Sequence, residues 1–149
     1  MVKIMSKSKI LACLGSALFA ACSRAAPPAS CPNTIAVHQE WQTPIEGWKA
    51  TLDDTPNRLA SVTFFDGPPE EKASLVNDRT MKAAGKEVAA WHFLPRPNRE
   101  IWIACGYSGT SIVLTKRLAP KTAVCEVTYN PRQRIAGLPV IVSIACKEK

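Results

Sequence analysis

The stretch "EIWIACGYSGTSIVLTK" (Glu100–Lys116) decides the fold. Ile101, Ile103, Cys105 and Tyr107 fall at every second position, and a period of two puts all four on one face of an extended strand. Ser108 and Gly109 stand at the centre of a turn, "YSGT", and "TSIVLTK" (Thr110–Lys116) reads as the returning strand of a hairpin. "LAPK" breaks the chain before "AVCEVTY" (Ala123–Tyr129), where Cys125, Val127 and Tyr129 face one way and Glu126 and Thr128 the other. After the turn-rich "NPRQRIAG", "LPVIVSIAC" places Val140, Val142, Ile144 and Cys146 together on one face. Four short antiparallel strands in succession predict a meander.

Upstream the pattern is less regular. "NRLASVTFFDG" (Asn57–Gly67) and "EVAAWHFL" (Glu87–Leu94) read as further strands, and "NTIAVH" near residue 35 as another. In "DGPPEEKASLV", Asp66 or Gly67 can cap, prolines suit a first helical turn and Glu70 and Glu71 favour its positive end; this predicts a short helix over Pro68–Val76. "NDRTMKAAGK" reads as a polar loop ended by Gly85. The expectation is a mainly β protein: a small antiparallel sheet or partly closed barrel with one short helix and two disulfides.

The N-terminus, "SKSKILACLGSALFAACSRAAPPASCP", follows a different logic. Lys3, Lys7 and Lys9 form a basic region ahead of an apolar run, Ile10–Ala21. A spanning helix needs roughly 20 residues, so this shorter run suits a signal peptide over residues 1–21. Cleavage among the small residues Ala25–Ser30 would release a secreted protein, and an uncleaved run would leave a retained anchor. "FAAC" resembles the bacterial lipobox, with Phe19 where that pattern usually has Leu, and the resemblance makes Cys22 the lipidated residue. Ser23 after it resembles lipoproteins sent to the outer membrane. The expected organisation is a lipidated tether over 22–33 and a single disulfide-stapled β domain over 34–149, in the periplasm.

With Cys13 in the leader and Cys22 at its end, Cys31, Cys105, Cys125 and Cys146 remain. An even number in an oxidising compartment predicts two disulfides. Their gaps of 74, 20 and 21 residues lack the close spacing of a zinc site. Three pairings stay open. In a meander, "TSIVLTK" would hold Cys105 and Cys125 about 9.5 Å apart, beyond disulfide reach, which favours Cys125–Cys146 with Cys31–Cys105.

The formal charge of +7 includes the three lysines of the leader, and without them 16 basic groups face 12 acidic ones. The excess lies in residues 101–149: seven cations (Lys116, Arg117, Lys121, Arg132, Arg134, Lys147, Lys149) against Glu126 and Glu148. Such a half can face an acidic protein, an anionic glycan or a phosphate-rich lipid surface. The plainer reading is that these residues solvate turns and guard strand edges. No aromatics interleave with the charges as a nucleic-acid binder requires.

No residue is expected to be catalytic. "GYSGT" approaches the G-x-S-x-G elbow around Ser108, but Thr110 replaces the last glycine, a strand follows instead of a helix, and no histidine comes after His92. Asp53, Asp54, Glu70 and Glu71 read as solvated acids; His38 and His92 lack a common partner. The four tryptophans (Trp41, Trp48, Trp91, Trp102) read as core in preference to a glycan platform. No metal or cofactor is expected.

Around "WIACGYSGTSIVLTKRL", with "VTFFDGPPEEKASLV", "CEVTY" and "SIAC", the chain resembles a family of small exported proteobacterial proteins. Their shared pattern reads like CP–I, F-x-G-x-P-x-E-x-x-L, W-x-x-C-x-Y-x-G-T and two later cysteines, and the likeness covers about Cys31–Cys146. It implies location and fold and carries no catalytic residue; members near secretion-system loci imply a protective role. A looser similarity is to periplasmic lysozyme-inhibitor lipoproteins. The resulting expectation is a non-enzymatic envelope lipoprotein that binds an envelope or secreted protein as an inhibitor or immunity factor, through Tyr107 and Ser108 in one loop and Arg132 and Arg134 in another. A glycan- or lipid-binding accessory protein is the alternative, and an enzyme the third class.

Overall fold

The computed structural model describes residues 30–149. Nine strands make up the fold: β1 (Thr34–Ile35), β2 (Asn57–Asp66), β3 (Ser74–Leu75), β4 (Arg79–Ala83), β5 (Lys86–His92), β6 (Ile101–Tyr107), β7 (Val113–Arg117), β8 (Thr122–Ile135) and β9 (Leu138–Glu148). They form two antiparallel sheets, one ordered β1-β2-β6-β7 with β3 also on β2, the other β4-β5-β8-β9. The sheets do not close into a barrel.

A single core lies between them. Phe64 of β2, fully buried, stands 4.9 Å from the Trp91 ring of β5 and 5.7 Å from Phe93, both in tilted contact. Ile101, Ile103, Cys105 and Tyr107 of β6 are buried, as their alternation requires, and meet Cys125 and Val127 of β8 in the same cluster. Two disulfides staple this core: Cys31–Cys105 and Cys125–Cys146. The first ties the N-terminal segment to β6. The second joins directly opposed residues of the β8/β9 ladder.

Several expectations are corrected. The four C-terminal strands are two hairpin pairs in different sheets, so "LAPK" is a crossover and no meander forms. Cys105 and Cys125 therefore do not have β7 between them; each is bonded to its own partner. The helix over Pro68–Val76 shrinks to one 3-10 turn, Pro69–Glu71. Lys72 adopts φ 58° and closes the turn, its N–H donating to the Pro69 carbonyl, and Leu75 then pairs with Phe64 on β2. The supposed polar loop contains β4. Every β4 residue is exposed, so no apolar alternation marked it, yet it pairs with β5 from Arg79↔Ala90 to Ala83↔Lys86.

On β9 the pairing steps from Thr128↔Ser143 to Tyr129↔Ile141, leaving Val142 bulged and 48% exposed. The bulge moves Ile141, instead of Val140 and Val142, onto the core face beside Ile144 and Cys146. "NPRQR" is likewise no chain reversal. Pairing jumps from Asn130↔Val140 to Arg134↔Pro139, so Pro131, Arg132 and Gln133 form a wide irregularity within β8, where proline's missing donor is tolerated. Reversal comes at Ala136–Gly137, both with positive φ.

Residues 31–33, ahead of β1, are tied to the sheets. Cys31 is buried, the Tyr107 hydroxyl donates to the Pro32 carbonyl (3.0 Å) and the Leu59 N–H to the Asn33 carbonyl (2.8 Å). The leader, Cys13, Cys22 and most of the expected tether lie outside the described residues.

Candidate functional site at the crossover end

Three connections pass from one sheet to the other, between β3 and β4 (residues 76–78), β5 and β6 (residues 93–100) and β7 and β8 (residues 118–121), and the last two frame the site. Strand registers put them at the same end of the molecule: Ile101 opens β6 opposite Asp66, the last residue of β2, and Trp102 pairs with Arg117, the last of β7. Between the two crossovers lies a cleft of about 400 Å³. Phe93, Ile101 and Leu118 are buried beneath it, while Leu94 is 67% exposed at its side.

The cleft is basic. Arg96, Arg99, Arg117, Lys121 and Lys149 line it, with Glu100 the one acidic side chain in the lining. Two of the five cations are engaged in structure. Arg99, its side chain only 13% exposed, grips both Asp66 carboxylate oxygens, Nε to Oδ1 and Nη2 to Oδ2 at 3.0 Å each. Its Nη1 donates to the Leu94 carbonyl (2.9 Å), so one guanidinium clasps β2 to the 93–100 crossover. Arg117 pairs with Glu100 (3.0 Å), whose other oxygen accepts from the Trp102 indole N–H (3.4 Å). Arg96, Lys121 and Lys149 are exposed and form no ion pair among the described residues.

The crossover walls are stiff. Pro95 and Pro97 fix the backbone on either side of Arg96, and the Arg99 N–H closes a turn onto the Arg96 carbonyl. On the facing side the Thr122 N–H donates to Ala119, and the Lys149 N–H to Lys121, which brings the end of β9 to the cleft.

The residues expected from the sequence lie elsewhere. Tyr107 and Ser108 are at the opposite end of β6. The Tyr107 ring belongs to the core, and burial pushes its phenol pKa up. Ser108 is an internal tie: its Oγ accepts from the Arg58 N–H (3.1 Å), and its carbonyl accepts from the Asn57 side-chain amide (2.8 Å). Arg132 and Arg134 are exposed near the tips of the β4–β5 and β8–β9 hairpins. Arg132 approaches Gly85, and Arg134 donates to the Gly137 carbonyl (2.7 Å). Of the cleft residues, Arg117, Lys121 and Lys149 belonged to the basic half seen in sequence; Arg96 and Arg99 were missed, although the proline bracket "LPRPN" marks a rigid exposed segment.

The remaining chemistry-bearing side chains are dispersed. His92 is exposed between buried Trp91 and Phe93, its Nδ1 3.1 Å from Asp78 Oδ2. The His92 backbone N–H also donates to Asp78 and holds that carboxyl below its usual range. Asp53 is held low by hydrogen bonds from the Thr55 hydroxyl and N–H, and His38 lies 3.2 Å from Glu40. Tyr129 is pushed up by burial and by Glu87. Trp91 is core, as expected, but Trp41 (41%) and Trp48 (76%) are exposed. No group of three or more metal-binding side chains occurs among the described residues.

The fold and cleft define a β scaffold stapled by two disulfides, with a charged cleft at one end. Residues 54–147 match the family described as Type VI secretion system Tli immunity protein, and the chain belongs to that family. The match runs from just before β2 into β9 and so covers every strand but β1 and all three connections between the sheets. The chain is also similar to an uncharacterised 16.3 kDa protein from the trpG 5′ region of Azospirillum brasilense, 24% identical over 110 residues, 70% of this chain and 73% of that protein. No solved structure matches.

Proposed function

We propose that this chain is a periplasmic immunity protein that neutralises a secreted effector by binding it, without chemistry of its own. Membership of the immunity family over residues 54–147 is the observation that carries the reading. Two disulfides suit an oxidising compartment, and the leader-like N-terminus would deliver the chain there. A lipid on Cys22 would then hold the domain at the outer membrane, where an incoming effector is met. Of the side chains expected to touch a partner, Arg132 and Arg134 remain available at the surface.

The test is to express a candidate Type VI effector of the chain's own organism, directed to the periplasm, with and without the chain. Rescue of growth and a stable purified complex are expected. An effector that stays toxic and forms no complex overturns the reading. Mass spectrometry of the mature N-terminus examines the anchor separately: an acylated Cys22 is expected, and an unmodified terminus among Ala25–Ser30 refutes it.

Exposed Trp41 and Trp48 favour a second reading, in which the chain binds glycan or lipid. Capture of either ligand class from periplasm, without protein, would support it over the first.

A further inference from the structure

We propose that the cleft between the two crossovers receives an acidic segment of the effector, with Arg96, Lys121 and Lys149 holding its carboxylates. This rests on the immunity reading and names the partner chemistry for it.

Three features of the cleft carry the inference. First, the charge is unbalanced. Five cationic side chains and one acidic one line it, and after Arg99 is committed to Asp66 and Arg117 to Glu100, three cations are left without an ion pair among the described residues. Unpaired cations around a low-dielectric floor raise the local positive potential and attract a negative partner. Second, the surface is mixed. Leu94 lies 67% exposed and Pro95 and Pro120 add apolar wall, so the site offers apolar contact between its charges. A segment with carboxylates on either side of an apolar residue matches this, whereas a small inorganic anion would need donors converging on one point. Third, the site is preorganised. The prolines around Arg96 and the Arg99 clasp onto Asp66 and Leu94 hold the wall before a partner arrives, which lowers the ordering cost of binding. A volume of about 400 Å³ admits a few side chains.

The experiment compares two doubly charge-reversed proteins. Arg96→Glu with Lys121→Glu alters the cleft; Lys82→Glu with Lys86→Glu makes the same change in net charge on the β4–β5 hairpin. Intact disulfides and unchanged thermal unfolding establish that both are folded. Binding to the purified effector of the rescue test is measured at low and high NaCl. The cleft variant should bind about 100-fold more weakly or worse, and the hairpin variant should stay within about 3-fold of the parent, because a contact charge acts on the complex and a remote one mainly on encounter. The parent's affinity should fall with salt and the cleft variant's hardly at all.

Equal weakening of both variants, or a cleft variant that binds like the parent, overturns the cleft while leaving the immunity reading intact. A parent that does not bind the effector removes the immunity reading and the cleft with it. In a parallel arm, phosphatidylglycerol vesicles are offered without effector. No retention is expected; retention of the parent that the cleft variant loses would make this a lipid-headgroup site and overturn the proposal.

Discussion

Removing the two disulfides one at a time should cost different amounts, and the difference follows from where each lies. Cys31 and Cys105 are 74 residues apart in sequence, Cys125 and Cys146 only 21. In the chain-entropy account, closing the longer loop in the unfolded state is worth about 4.5 kcal/mol and the shorter about 3.4. The native contacts push the same way. Cys125 and Cys146 are register partners in a ladder that continues to Val127↔Ile144 and Thr128↔Ser143, so their strands stay paired without the bond. Cys31 sits ahead of the two-residue strand β1, and beyond the sulfur link its segment is held mainly by the Tyr107 and Leu59 hydrogen bonds. Cys31→Ala with Cys105→Ala should therefore lose about 1 kcal/mol more than Cys125→Ala with Cys146→Ala. Urea unfolding at 25 °C measures both, and the slope m should rise in each variant because the unfolded chain expands. Hydrogen exchange at the Leu59 amide should accelerate only in the first. If the Cys125–Cys146 pair proves the costlier by about 1 kcal/mol or more, the entropy argument fails, and the fully buried Cys125 must stabilise the core chiefly through packing.

Phe64→Ala should destabilise the fold by about 3–5 kcal/mol in the same assay, because it removes a fully buried ring packed on both Trp91 and Phe93. Ala136 carries φ 49° ahead of Gly137, a two-residue hairpin turn that favours asparagine, so Ala136→Asn should raise stability by about 0.5–1 kcal/mol. The lowered Asp78 pKa means that its stabilising effect is present above the ordinary carboxylate range and lost as pH falls through the folded value. Asp78→Asn should thus lie below the parent in melting temperature at about pH 6 and converge with it near pH 2, by a small margin because the side chain is half exposed. Arg99→Lys keeps the charge but not the fork onto Asp66 or the bond to Leu94; melting temperature should fall, and proteolysis between Leu94 and Arg99 should quicken.

How far the sequence reveals this fold depends on which faces are buried. β6 was legible residue by residue because it lies between β2 and β7 with its alternate side chains in the core: Ile101, Ile103, Cys105 and Tyr107. β4 was invisible because an edge strand exposed along its whole length needs no apolar pattern; backbone pairing alone defines it. β9 was half legible. Its alternation is genuine on either side of Val142, but one extra residue shifts the phase, and a bulge leaves no mark in periodicity. The helix failed for a different reason. Local signals for a first turn were present, and they produced one, but Leu75 gains more by pairing with Phe64 and offering its carbonyl to the Trp91 indole (3.1 Å) than a second helical turn would supply. Sheet membership was the largest loss. "LAPK" and "YSGT" both read as breaks, and nothing local separates a hairpin turn from a crossover.

The candidate site was hidden by that same ambiguity. Turn-like loops with exposed polar residues, "GYSGT" and "NPRQR", drew attention because loops carry function. In the folded chain Ser108 bonds back to Asn57 and Arg58 and so holds the scaffold, while Arg134 stays exposed with one bond to its own hairpin. The crossovers do something else. They must span from one sheet to the other, they cannot pair along a strand, and two of them at the same end leave a gap between. What fills the floor of that gap is decided by the core, and what rims it is free to vary: here Arg96, Lys121 and Lys149. The topology supplies a place that is rigid beneath and adjustable above, where the 93–100 and 118–121 connections leave one sheet for the other at the same end. The cations of the basic half that line the cleft are therefore of two kinds. Arg117, with Arg99 from the crossover before it, stabilises the end of the fold through a carboxylate of its own chain; Lys121 and Lys149 have no such ion pair among the described residues and are left for the carboxylates of another.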